Sequence, residues 1–506
     1  MISSLRCAAI GVAALILLLG TDALRAQDVT LSSRDGGIEL SGTLLGYDGE
    51  FYRVDSDFGI LTLAAEGVTC TGPGCPDLTS FVAEFTIAGA PAIGTALVPA
   101  LIKGFAAEQG LALHVEQADG ARLFKLSDAV THAPVARITL ILSSSDEGLV
   151  SLLAGEADIA LSFSELRDED VRAFVVALDA FVPVVGRGNP IKRMTMQDLA
   201  AVMSGEIDSW AELGWLDVPI RVHARNTGSG EQQALEALLL APLDLPMAPD
   251  AQRHASEPAF LDAVARDPFA IGVALRSDTG VGARLELHGA CGLTLPATPL
   301  AIKAEDYPLT VPLLMHTRAE RQPLQVRRFM THIAGESAQE TVRDAGFVDQ
   351  SPHAVGLDAQ GRRLVNAILA AGDDVGLDEL QRLARAMEPS ERLSTTFRFE
   401  SGTTRLDVQS RGNVRALARD LEAGRHDGRT LVFAGFTDSE GPAEVNRELA
   451  QQRAETVRDA VRAAAPLRDA AQVELEAEGF GEAMPMACED SEWGRQVNRR
   501  VEVWLR

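Results

Sequence analysis

From Val29 to Ser80 apolar and polar residues alternate, as in "GIELSGTLLGYDGEFYRVDSDFGILTLAAEG". A period of two predicts strands with one buried face, and the breaks at Asp48-Gly49 and Asp57-Phe58-Gly59 predict hairpins. Residues 29–80 are therefore expected to form a small β module, a barrel or a meander. The pattern then changes. "EFTIAGA" leads into "ALVPALIKGFAAEQG", "ARITLILSSS" leads into "DEGLVSLLAG", and "ADIALSF" follows. Short apolar strands that feed amphipathic helices define an α/β domain, expected over residues 81–350. Residues 351–390 are expected as a helical connector of two helices. The second, "LDELQRLARAM", sets Leu377, Leu380, Leu383 and Met387 at helical spacing and stops before Pro389. Residues 391–506 read as an α+β unit. Its predicted strands are "TTFRFESG", "RTLVFAGFTD" and "RRVEVWLR", and its helices are "QSRGNVRALARDLEAG" and "PAEVNRELAQQRAETVRDAVRAA". In the last strand Val501, Val503 and Leu505 alternate with Glu502, Trp504 and Arg506.

The first 26 residues follow neither period. Arg6, an apolar run from Ala8 to Leu19 and the small-residue step Ala26-Gln27 form an export signal. The run is too short for a membrane span, and no later stretch could provide one, so the mature chain is expected to be exported without a transmembrane segment. Cys7 precedes the apolar run, which argues against a lipid anchor. A net charge of −26 over 506 residues argues against nucleic acid as a partner. Export makes cysteines candidates for disulfides. Cys70 and Cys75 bracket the turn-forming "TGPG" and are expected to pair with each other; one CxxxxC lacks the second ligand pair that zinc needs. Cys291 and Cys488 either pair across domains or stay free.

The chemistry of the C-terminal unit rests on two charges. In the helix after Pro442, Val445, Leu449, Val457 and Val461 recur at multiples of four, and Arg453 falls in the middle of that row. A lone arginine on an apolar face usually snorkels to water. Asp438 argues for more, because "TDSEG" ends a strand and stands too early to cap the helix. One carboxylate and one guanidinium can clamp a zwitterion, the acid taking an ammonium and the fork taking a carboxylate. "GFTDSEGPAEVNRELAQQRAETV" and "GFGEAMPMACEDSEWGRQVNRRVEVW" resemble the OmpA-like peptidoglycan-binding domain, through TDxxG, N-x-x-L-x-x-x-R-A and G-R-x-x-N-R-R-V-E. The resemblance implies that Asp438 and Arg453 hold the diaminopimelate of a peptidoglycan stem peptide. It also implies that Asn446 lines the site and that Arg499 and Phe399 support it.

"ALDAFVPVVGRGNPIKRMTMQDLAAVMSGEIDSWAELG", "AGEADIALSFSEL", "RNTGSGEQQ", "AIGVALRS" and "EDYPLTVPLLMHT" are similar to periplasmic phosphate-binding proteins. The similarity implies two α/β lobes with a cleft at their strand ends. Arg225, Ser229 and Gly230 match that family's oxyanion motif, and Ser144 or Ser145 matches a hydroxyl contact from the first lobe. In the loop "GAPAIGT", Ala90 and Ala92 stand where hydroxyl residues are usual, with Thr95 close by and the backbone N–H groups expected to remain. Glu231 replaces a usual threonine and is placed to pair with Arg225 from within. Losing two donors and gaining a carboxylate is expected to weaken a phosphate site by several kcal/mol, at roughly 1.5–3 kcal/mol per charge-assisted bond. Asp146 and Glu147 are read as helix-capping residues.

Taken together these features predict a non-catalytic envelope protein in the periplasm near the outer membrane. It would hold peptidoglycan through residues 391–506 and display a solute-binding domain for a small oxyanion. The alternative is a structural protein whose degenerate cleft serves protein interaction. No nucleophile elbow, zinc motif, phosphate-binding loop or acidic metal cluster occurs, so neither an enzyme nor a cofactor is expected.

Overall fold

The computed structural model describes residues 28–78, 80–118, 120–278, 283–370, 375–400, 403–466 and 472–506. The expected export signal lies outside them. The chain divides into two compact units, with the boundary between Phe81 and Val82.

The first unit is a five-stranded antiparallel meander with one strand returned to the edge. Its order is Gly59–Ala64, Phe51–Ser56, Glu39–Tyr47, Val29–Ser33 and Val68–Thr71. Both hairpins turn where the sequence breaks. The Asp48 carboxylate accepts the Glu50 and Phe51 N–H groups at 2.8 and 2.6 Å, and Gly59 takes the left-handed backbone its turn requires, φ +90°. Val29, Leu31, Tyr52 and Val54 form the core, and the bonded pair Cys70–Cys75 packs against it.

The second unit opens with an 11-stranded sheet whose spine is two long antiparallel strands, Val171–Val185 and Thr310–Arg318. On one side of the spine Ile159–Ser162, Ala83–Gly89 and Pro134–Leu142 run parallel as the first lobe. A hairpin of Leu111–Ala118 and Ala121–Asp128, absent from the sequence expectation, extends that lobe. On the other side Ala270–Leu275, Arg221–Arg225 and Gln252–His254 form the second lobe. Helices close the faces: Leu97–Glu108 buries Leu97, Leu101, Ile102 and Phe105, and Glu257–Arg266 buries Phe260, Leu261 and Val264. Each such side chain contributes roughly 1.5–3 kcal/mol of burial.

The C-terminal sheet has the order Ala354–Val355, Glu391–Phe397, Arg500–Leu505, Thr430–Phe436 and Glu474–Gly479. The last of these, parallel to Thr430–Phe436, was not expected. Helices Val408–Glu422 and Ala443–Ala464 cover one face over Phe397, Leu417, Phe433, Val457, Val501 and Val503. The other face does not meet water either. Helices Gly361–Ala370 and Leu377–Met387 cover it, packing Ala367, Leu383 and Met387 on Val432, Phe436, Phe480 and Trp504. Residues 351–390 thus form both expected helices, yet as a second layer and edge strand of the C-terminal sheet rather than as a free connector. Glu502, among the polar positions of the last strand's alternation, is fully buried. Burial acts to raise its pKa, but the charges of Arg363, Arg392 and Arg500 outweigh it and hold the carboxyl well below its usual range.

The C-terminal domain is docked on both lobes. Arg392 forks onto Asp306 at 2.7 and 3.0 Å, and Arg398 donates to the Glu305 carbonyl at 2.7 Å. Arg411 pairs with Glu165, and Trp493 Nε1 donates to the Leu238 carbonyl at 2.9 Å. Cys291 and Cys488 are bonded across the domain boundary, which resolves the alternative left open by sequence. Among the described residues no helix is long and apolar enough to cross a membrane.

Candidate functional site

In the C-terminal domain the strand Thr430–Phe436 delivers Asp438 just past its end, 7% exposed. Arg499 Nη1 donates to Asp438 Oδ2 at 2.7 Å, and its Nη2 pairs with Glu492 at the start of helix Glu492–Asn498. Arg453 projects from helix Ala443–Ala464, its guanidinium 5.7 Å from the centre of the Phe399 ring. Its Nη1 is buried and has no hydrogen-bond partner among the described residues. Burial lowers the Arg453 pKa, the Arg499 charge lowers it further, and Asp438 opposes both. The group is a cation short of an anion.

The helix face differs from the expected row. Its buried residues are Asn446, Ala450, Ala454, Val457 and Val461, while Val445 and Leu449 are 55% and 37% exposed. Small residues must face the sheet because the backbone comes close: a Cβ at Gly435 would collide with the Ala450 carbonyl. Arg453 therefore borders the buried stripe and shares the outer face with two exposed apolar side chains. Asn446 is buried with its amide donating to Glu482 at 2.9 Å. The structure brings Asp438, Arg453, Arg499 and Phe399 together. Sequence reasoning placed Arg499 as support; it is the direct partner of Asp438.

The interlobe cleft is assembled differently from the expectation. Arg225 ends its strand 5% exposed, and Ser229 caps the following helix by accepting the Gln232 N–H at 3.1 Å. Gln232 in turn accepts the Arg225 N–H at 3.1 Å, so the turn is held locally. The guanidinium does not pair with Glu231. Glu257 takes it, with Nε donating to Oε2 at 2.6 Å and Nη2 pairing as well, while Nη1 donates to the Val273 carbonyl at 3.1 Å. Glu257 opens a helix on the neighbouring strand's return, which puts it within reach, whereas Glu231 lies beyond the turn. Burial pushes the Glu257 pKa up to about 7 against the attraction of Arg225, and Asp278 and Glu231 add repulsion.

First-lobe groups complete the closure. Ser144 Oγ is spent accepting the Glu147 N–H, and Glu147 answers the Ser144 N–H in a capping box. Ser145 is 2% exposed, and its Oγ lies where a Cβ on Gly230 would fall, without a partner among the described residues. The Phe163 ring stands 3.3 Å from the same point, and Gln233 donates to Asp146 across the lobes at 3.1 Å. Asp146 is thus an interlobe acceptor as well as a first-turn acid. In the "GAPAIGT" loop the Ala90 N–H bonds the Leu161 carbonyl at 3.1 Å, and Pro91 has none to offer. A cavity of about 270 Å³ exists elsewhere, where Leu293, Pro296, Arg363 and Met486 meet, but Arg363 there is already held by Glu502.

Two lobes on a shared spine, joined to a sheet-and-helix domain that sets an acid near a guanidinium, define a two-lobed α/β fold fused to a separate α+β domain. The chain belongs to the PBP superfamily, whose domain model matches residues 82–336, and it carries an OmpA family domain over residues 398–499. It is 35% identical over 113 residues to outer membrane porin F of Pseudomonas fluorescens, covering 22% of this chain and 32% of that protein. It is 33% identical over 116 residues to the peptidoglycan-associated lipoprotein of Pseudomonas putida, covering 23% of this chain and 66% of that protein. Against the phosphate-binding protein PstS of Borreliella burgdorferi it is 22% identical over 227 residues, 42% of this chain and 79% of the relative. The crystal structure of an ABC-type phosphate transport receptor from Vibrio cholerae matches at 21% identity and a TM-score of 0.42, covering 52% of this chain and 99% of that one. The chain thus spans about a third of the porin's length and just under two thirds of the lipoprotein's.

Proposed function

We propose that this protein is a non-catalytic, periplasmic, peptidoglycan-associated envelope protein near the outer membrane. Its clamp of Asp438 and Arg453 takes the diaminopimelate of the stem peptide. The observation that carries the reading is the buried, unpartnered Arg453 Nη1 beside a nearly buried carboxylate. Such a donor costs roughly 1–3 kcal/mol until an acceptor arrives, and a ligand carboxylate supplies one. The ligand ammonium then shares Asp438 with Arg499. The OmpA domain and its likeness to a peptidoglycan-associated lipoprotein support the same reading. The full-length protein should co-sediment with purified sacculi and be released by a soluble diaminopimelate-containing muropeptide. Failure to co-sediment would overturn the proposal.

For the solute-binding domain the cleft geometry favours the structural reading over anion capture. Arg225 is neutralised from within by Glu257, two further acids act on the site, and Phe163 and Ser145 fill the space beside Gly230. We infer that this domain serves as a scaffold and interaction body rather than as a phosphate receptor. Phosphate titration of the full-length chain tests this directly.

A further inference from the structure

The clamp's two rims are fastened to different lobes. Phe399, under Arg453, is followed by Glu400, whose carboxylate meets Arg167 of the first lobe at 3.4 Å and Arg411 at 3.8 Å. Arg411 pairs in turn with Glu165 of the same lobe. The opposite rim is residues 488–499. Cys488 is bonded to Cys291 of the second lobe, Asp490 accepts the Ala290 N–H at 3.1 Å, and Trp493 bonds the Leu238 carbonyl. Packing at this junction leaves no slack. A Cβ on Gly289 would strike Cys488 Sγ, and one on Gly494 would strike the Cys488 carbonyl.

From that junction a short run of contacts reaches the clamp. Glu489, next to Cys488, accepts the Ser439 N–H at 2.8 Å and also its hydroxyl, and it accepts Asn498 Nδ2 at 2.9 Å. Ser439 follows Asp438 directly. Arg499, at the end of the same rim, holds Asp438 at 2.7 Å. Both the backbone beside Asp438 and its guanidinium partner therefore depend on a segment stapled to the second lobe.

We propose that the Cys291–Cys488 bridge and Glu489 position Asp438 for ligand, so that the clamp is strung between the two lobes and reads their arrangement. This inference rests on the peptidoglycan reading of the clamp. The lobes touch through Gln233–Asp146 and Ser145–Gly230 and share two spine strands, so a rotation of one lobe on the other would turn about that spine. Turning one lobe against the other moves one rim against the other. Coupling of this kind is reciprocal: if the bridge favours ligand, ligand favours the bridge by the same factor.

The test uses the full-length chain, calorimetry with a soluble diaminopimelate-containing muropeptide, and alkylation with mass mapping at Cys291 and Cys488. Reducing the bridge should weaken muropeptide binding about tenfold, and re-oxidation should restore it. Saturating muropeptide should make the bridge correspondingly harder to reduce, a tenfold effect being about 30 mV for a two-electron couple. A purely structural bridge would show no such dependence on ligand. Cys291→Ser with Cys488→Ser should reproduce the loss, Arg167→Ala should weaken binding from the other rim, and Cys70→Ser with Cys75→Ser should leave affinity unchanged. Equal affinity in the oxidised and reduced chains would overturn this inference alone. Absence of binding by the oxidised chain would overturn the peptidoglycan reading and this inference with it.

Discussion

Arg225 lies against Glu257, its Nε donating to Oε2 at 2.6 Å, and so the one guanidinium of the RNTGSG turn is occupied by the protein's own carboxylate. An incoming anion must displace Glu257 while facing the charges of Glu231 and Asp278. Inorganic phosphate should therefore bind the full-length protein no more tightly than about 1 mM, near −4 kcal/mol. Glu257→Gln combined with Glu231→Thr should improve binding at least tenfold. Because Glu257 titrates near 7, it loses its charge below that pH, and sulfate, whose own charge is constant there, should bind better at pH 5.5 than at pH 8.5. Sub-micromolar phosphate binding by the unmodified chain in calorimetry would refute this account.

At the domain boundary Glu305 makes stability fall as pH rises. Burial pushes its pKa up to about 8; Asp407 and Asp306 add repulsion, and Arg398, 3.9 Å away, opposes. Its folded pKa stands above the unfolded value, so its contribution is full below about 4.5 and is lost as pH climbs through 8. The thermal midpoint of the wild type should drop by a few degrees more than that of Glu305→Gln between pH 5 and pH 9. Parallel pH profiles for the two proteins would show that Glu305 is not the titrating group.

The Cys70–Cys75 bridge closes a short loop against the core of the first unit. Loop entropy assigns such a bridge about 2 kcal/mol. Cys70→Ser with Cys75→Ser should lower that unit's stability by about this amount in denaturant unfolding followed by tyrosine emission. Trp210, Trp215, Trp493 and Trp504 all lie beyond Phe81, so the tryptophan-reported transition should stay where it is. A matching shift in both signals would show that the bridge supports more than its own unit.

How much of this was legible in the sequence depended on whether a residue's partner lay nearby along the chain. The Asp48 and Gly59 turns and the strand-to-helix rhythm of the first lobe are local, and each formed where the pattern predicted, whereas Ser144 and Ser229, expected as hydroxyl contacts to an anion, cap helices instead. The burial of Glu502 was not legible, because alternation reports one buried face, whereas the layer that buries the second comes from residues 361–387, over a hundred positions upstream. Asp438 and Arg453 could be nominated because motif spacing survives without structure. Their surroundings could not be: Arg499 is 61 positions from Asp438, and Cys291 is 197 from Cys488. The cleft acid was misassigned for the same reason. Glu231 is adjacent in sequence to the turn, and Glu257 is adjacent in space to the guanidinium.

The clamp itself yields the sharpest test. Diaminopimelate carries an ammonium and a carboxylate on one carbon, matching Asp438 on one side and Arg453 on the other. Removing either partner strands the opposite charge in a partly buried site, which costs more than the lost contact. Asp438→Ala and Arg453→Ala should each weaken muropeptide binding by roughly 2–5 kcal/mol, enough to abolish co-sedimentation with sacculi. Asp438→Asn separates two roles of the acid. It keeps an acceptor for Arg499, so that helix Glu492–Asn498 stays in place, but it removes the charge that the ligand ammonium needs. It should therefore fail to bind while melting like the wild type. Arg453→Lys should fail nearly as badly as Arg453→Ala, because a single ammonium cannot reproduce the fork and sits shorter of the Phe399 ring. Arg506→Ala, which breaks only a half-exposed pair with Glu476 at the end of the last strand, should bind normally. Asp438 and Arg453 variants that sediment with sacculi like the wild type would leave the orphaned guanidinium unexplained and the clamp disproved.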